Sequence, residues 1–162
     1  MEGLGVSERR AIRLECGAEV LAEAERIACA DRAGRLRRTG NWTAGQCFGH
    51  LAGWIGFCFD GYPVVAPPEL AARALVRKPT ALREGLMAGV RIPGVEGGAG
   101  EIEVLPLDEG LARLRAGWAR LEGGMARFPH PFFGALTYEE WMMLHLRHAE
   151  LHMSYLHPDA NT

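Results

Sequence analysis

The sequence predicts an all-α protein: a four-helix bundle with a long irregular excursion between its second and third helices. Three observations predict it. Apolar residues recur at three- and four-residue spacing in four separate stretches. Two threonines, Thr43 and Thr137, each stand three residues ahead of a Gln or Glu at the start of such a stretch. No stretch shows sustained strand alternation beyond a weak hint at Glu101 to Leu105. The 162 residues fit one domain, 1–162, which is long enough to bury one core without staples.

The first helix is expected from about Ser7 to Asp31. Ile12, Cys16, Val20, Ala24 and Ile27 form its apolar face, and the Gly- and Arg-rich stretch that follows ends it. Thr43 and Gln46 form a capping box that opens the second helix, which carries His50, Leu51, Trp54, Phe57 and Cys58 and stops near Gly61-Tyr62-Pro63. The excursion from Val64 to Pro106 reads as two short helical pieces, one opened by Pro67-Pro68 and running through Val76, the other from Thr80 to Ala88. A long mobile loop follows from Val90 to Pro106, because its central glycines do not suit regular structure. The third helix begins near Asp108, where Leu107, Leu111, Leu114, Trp118, Leu121 and Met125 make a bundle-type stripe. The fourth is opened by a second capping box, Thr137 with Glu140, and runs to about His157-Pro158.

Composition narrows the function. Eighteen Lys+Arg against twenty Asp+Glu give a net charge of -2, so no basic balance points to nucleic acid or to an anionic membrane surface. The longest apolar stretch, Ala52 to Tyr62, is interrupted by Gly53, Gly56, Asp60 and Gly61 and is too short to span a bilayer. The four cysteines (Cys16, Cys29, Cys47 and Cys58) form no CxxC pair and are too few for a disulfide framework. The opening residues lack the apolar core of a secretory signal, so a cytoplasmic protein with reduced thiols is expected.

Histidine placement carries the chemistry. His145, His148 and His152 fall within two turns of the last helix and within roughly a 60° arc, on the stripe that should face the interior. Buried imidazoles without partners are costly, and a divalent metal removes that cost. His148 and His152, at i and i+4, bring two imidazoles to one point. The obvious third ligand is His50, mid-way along the second helix on another apolar face. His145 sits about 10 Å of helix rise from His152 and is assigned to the pocket wall or the second shell of the site. Gln46, Trp54 and Trp141 are assigned there too, although Gln46 reads first as a cap and the tryptophans first as core. Cys47 reads as a small buried residue before it reads as a fourth ligand. Arg35, Arg37 and Arg38 read as a solvated cluster, His130 as part of the turn before the last helix, and His157 as belonging to an exposed end.

Two segments resemble a known family. Asn41-Trp42-Thr43-Ala44-Gly45-Gln46, with His50-Leu51-Ala52 following, is similar to the second-helix signature of the DinB/YfiT-like superfamily. The stretch from His130 to Trp141, leading into His148 and His152, resembles the HPxFGxLTxEEW opening of the last helix in an uncharacterised branch of that superfamily. The resemblance runs from the first helix to about Leu156. It implies a single DinB-like bundle domain whose metal site is His50, His148 and His152, filled by zinc, nickel or iron. Where that branch has a further His before its last ligand, this chain has Leu151, expected to point away from the metal. Some relatives transfer low-molecular-weight thiols. The expected function is a metal-dependent thiol-group transferase or hydrolase acting on a small molecule, with a low-molecular-weight thiol as one substrate. The alternative is a non-catalytic small-molecule-binding or stress-associated bundle. Such bundles often pair, so a homodimer is the expected assembly to test for.

Overall fold

Both threonine caps form. In the first, the Thr43 hydroxyl accepts from the Gln46 N–H at 3.1 Å while the Gln46 side chain accepts from the Thr43 N–H at 2.9 Å. In the second, Thr137 and Glu140 exchange the same pair of bonds at 3.2 and 3.0 Å. Each box satisfies two amides that a helix start otherwise leaves without partners. The computed structural model describes residues 8–92 and 102–158 and is mostly helical. Its helices are α1 (Gly17–Arg32), α2 (Ala44–Asp60), α3 (Pro68–Glu84), α4 (Leu107–Gly123) and α5 (Tyr138–Met153). Two short strands, β1 (Arg37–Arg38) and β2 (Leu156–His157), pair antiparallel with Arg37 opposite His157.

α2 and α4 make the most extensive helix pair. Their backbones meet at Gly45 and Gly110, where a Cβ on Gly110 would overlap the Gly45 carbonyl. Only glycine permits that approach. Phe48, Leu51 and Ile55 of α2 join Leu111, Leu114, Trp118 and Leu121 of α4 in one buried core with Val20, Ala24 and Ile27 of α1 and Trp141, Leu144 and Met153 of α5. Burying each of the larger side chains contributes roughly 1.5–3 kcal/mol. α5 contacts α1, α2 and α3, which stands it between the core and the excursion.

Expectations change at the helix count, at the start of α1 and at the end of the last helix, which stops at Met153 rather than running to about His157-Pro158, where Leu156–His157 pair as β2 instead. The described residues form five helices rather than four, because the excursion holds one continuous α3 that passes through Pro79. Pro79 removes one helical hydrogen bond, which is why the sequence reads as two pieces there, but Pro68 at the first turn suits the helix start. α1 starts at Gly17, so Ile12 lies outside it. The preceding segment is held against the end of α5 instead: Arg10 N–H donates to the Ser154 carbonyl, Leu14 N–H to the Glu150 carboxylate at 2.8 Å, and Arg147 to the Leu14 carbonyl at 2.8 Å. The buried Arg147–Glu150 pair (2.9 Å) thus satisfies both backbone groups of Leu14. The expected start at Ser7, the Gly-rich centre of the loop and Glu101 lie outside the described residues, and residues 102–105 form no strand.

Candidate metal centre

The capping box at Thr43 fixes where α2 begins, and so which turn presents His50 inward. The box at Thr137 does the same for α5 and His148 and His152. Together they bring His50, His148 and His152 to one point: one ring nitrogen from each lies within 4.8 Å of the other two. The Nε2 atoms of His50 and His148 are 3.1 Å apart. Two nitrogens on one ion at the usual 2.0–2.1 Å stand roughly 3 Å apart, so this spacing fits a shared cation. The three residues could hold a metal ion, and the donor set is chemically suited to one. Burial lowers the His50 pKa to about 4 and holds His148 and His152 well below 6.5, with the neighbouring histidines adding to both. All three are therefore neutral near pH 7, the form in which imidazole is a ligand.

Trp42 braces the rings. Its indole stacks on His152 at 4.8 Å and 20° and lies 4.8 Å from His50. Trp54 lies 6.3 Å from His50 and 6.0 Å from His148. The centre opens into a cavity of about 380 Å³ with mostly apolar walls. His145 lines it, stacked on buried Trp141 at 5.8 Å and 15°, with an Nε2 that is buried and finds no hydrogen-bond partner among the described residues. Desolvation lowers the His145 pKa to about 3, so the ring is neutral.

Gln46 is spent on the cap and does not line the cavity, so its expected place in the pocket is not realised. Trp141 acts one layer back, through His145. Cys47 is fully buried, its thiol pushed up to about 12 by desolvation, and it is no part of the histidine group. Leu151 lines the cavity. His157 is buried in β2 beside Arg37 and Thr39, not at an exposed end.

Two features escaped the sequence reading. His130 is buried and lines the cavity; its Nδ1 accepts from the backbone N–H groups of Phe132 (3.1 Å) and Phe133 (3.2 Å). A neutral ring held that way carries its proton on Nε2 and can donate. The signal was the segment itself: Gly134 turns with φ +69° and exchanges two backbone bonds with His130, folding the ring back over the site. The second is α3, which supplies a whole wall of the cavity from Leu70 to Ala81.

A family model described as "Protein of unknown function (DUF1569)" matches residues 6–159. No curated protein and no solved structure matches the chain.

Proposed function

Since the chain belongs to the DUF1569 family, whose function is unknown, we propose an activity from the site itself: a metal-dependent enzyme acting on a small molecule, either a thiol-group transferase or a hydrolase. The observation that carries it is the convergence of three neutral imidazoles from distant parts of the chain beside a cavity. Zinc, nickel or iron suits such a donor set. A cation bound there would lower the pKa of a bound water or stabilise a thiolate. His50, His148 and His152 hold it and add no negative charge, so the centre keeps its attraction for anionic groups. Trp42 fixes the ring orientations. The His130 Nε2–H offers a hydrogen bond to a substrate atom, and the unpartnered His145 Nε2 can accept or donate one. The resemblance to the DinB/YfiT-like superfamily supports the same reading, with α1, α2, α4 and α5 as the four-helix frame and α3 as an added wall.

The described cavity wall contains no Asp or Glu, and that favours a second reading, a non-catalytic small-molecule carrier on the same frame. The test is metal content and turnover together. Protein purified without chelators and loaded with zinc should bind one ion per chain, and His148→Ala should lose it while keeping its helical circular dichroism. Turnover of thiols with electrophiles, or of esters and amides, that vanishes in His148→Ala supports the enzyme. Zinc binding with no turnover across both panels favours the carrier. No zinc binding refutes the metal-dependent enzyme and leaves the carrier, with the histidines as structural residues.

A further inference from the structure

The cavity's outer wall says what kind of molecule it takes. Arg73 and Arg77 stand one helical turn apart on α3 and both line the cavity, with Arg91 nearby on the same lining. Neither Arg73 nor Arg77 has an ion-pair partner among the described residues, whereas Lys78 on the same helix pairs with Glu140 at 2.9 Å. Like charges one turn apart on a helix oppose each other unless a counter-charge joins them. No described lining residue is acidic, and the rest of the wall is predominantly apolar, with Leu70, Leu86, Phe132 and Phe133. A guanidinium offers a planar fork of donors that matches a carboxylate or phosphate, and two of them one turn apart make a grip for one anion.

We propose that the cavity binds a small amphiphilic anion, its carboxylate, phosphate or sulfonate held by Arg73 and Arg77 and its apolar body lying along the Leu70, Leu86 and Phe133 wall toward the three histidines. A volume of about 380 Å³ lies within the range of small-molecule sites. The inference rests on the proposed metal centre only for which end of the ligand reacts. The anion grip belongs to α3 and stands without a cation.

The test uses three probes of one shape: 4-phenylbutyrate, 4-phenylbutan-1-ol and 4-phenylbutylamine. Each is titrated into the full, chelator-treated protein by calorimetry, so that no metal can bind the carboxylate. The acid should bind at least tenfold more tightly than the alcohol, the amine more weakly than either, and the acid's advantage should shrink as salt rises. Arg73→Gln with Arg77→Gln should bring the acid to the alcohol's affinity and leave the alcohol unchanged, while Arg73→Lys with Arg77→Lys should restore most of the preference. Both arginines are exposed and without described ion pairs, so these variants should fold; unchanged alcohol binding verifies that the cavity survives. Equal binding of acid and alcohol, or a preference that survives in the Gln variant, overturns the proposal. Zinc titration of the Gln variant separates the two readings: unchanged zinc affinity with lost anion preference places the grip on α3, and zinc failing to bind any form sinks the metal centre while leaving the anion result to stand.

Discussion

Chelator-treated protein should lose much of its stability between pH 7.0 and 5.5. Five histidines, His50, His130, His145, His148 and His152, are held below their ordinary pKa, each by desolvation first. The fold keeps them neutral, whereas in the unfolded chain they take up protons below about 6.5. The unfolded state therefore binds more protons, and stability that is full above pH 6.5 falls as pH drops toward 4. One such histidine contributes a loss of about 1.3 kcal/mol between pH 7.0 and 5.5, so five give about 6 kcal/mol, or about 4 once the half-buried trio is discounted for solvent. That is a large part of the total stability of an ordinary domain, about 5–15 kcal/mol. Glu8, Asp60 and Glu140 also have lowered pKa values, but their contributions are lost only as pH falls through the carboxylate range, below this window. Urea unfolding followed by circular dichroism at the two pH values should show the midpoint fall by about 2 M or more, taking a slope of about 2 kcal/mol per M. His145→Gln removes one titrating ring and should shrink the loss by about 1 kcal/mol. A midpoint that moves by only a few tenths of a molar would mean that these rings are solvated or already charged in the fold.

Other changes test the parts separately. Thr137→Ala removes the cap that starts α5 and should destabilise by about 1 kcal/mol in urea titrations, with part of the loss in zinc affinity, since the same turn sets where His148 and His152 stand. Gly110→Ala forces a Cβ into the Gly45 carbonyl and should cost roughly 1–3 kcal/mol or more by thermal unfolding. Trp42→Ala leaves all three ligands but unbraces His152, and should weaken zinc about 10- to 100-fold by competitive chelator titration; unchanged affinity would show that the stack does not position the ring.

The sequence announced most clearly what local chemistry dictates. Both capping boxes were legible because a threonine and an amide or acid three residues on form a self-contained pair. The convergence of His50, His148 and His152 was legible because helical spacing places His148 and His152 together and an apolar face turns His50 inward. What stayed hidden depends on distant partners. The true start of α1 is set by Arg147 and Glu150, more than a hundred residues away, which hold Leu14 out of the helix. The β1–β2 ribbon has two residues per strand, too few to show alternation. α3 was split in two by a proline that the folded helix tolerates, and with it went the arginine-bearing wall of the cavity. His130 looked like a turn residue, and it is one, but the turn at Gly134 folds its ring over the cavity.

X-ray absorption at the zinc edge of the zinc-loaded protein tests the centre most directly. The account predicts imidazole scattering from three nitrogens at roughly 2.0–2.1 Å, and no bound zinc to give that signal in His50→Ala or in His148→Ala with His152→Ala. A spectrum without histidine scattering, or one that those substitutions leave unchanged, would contradict it.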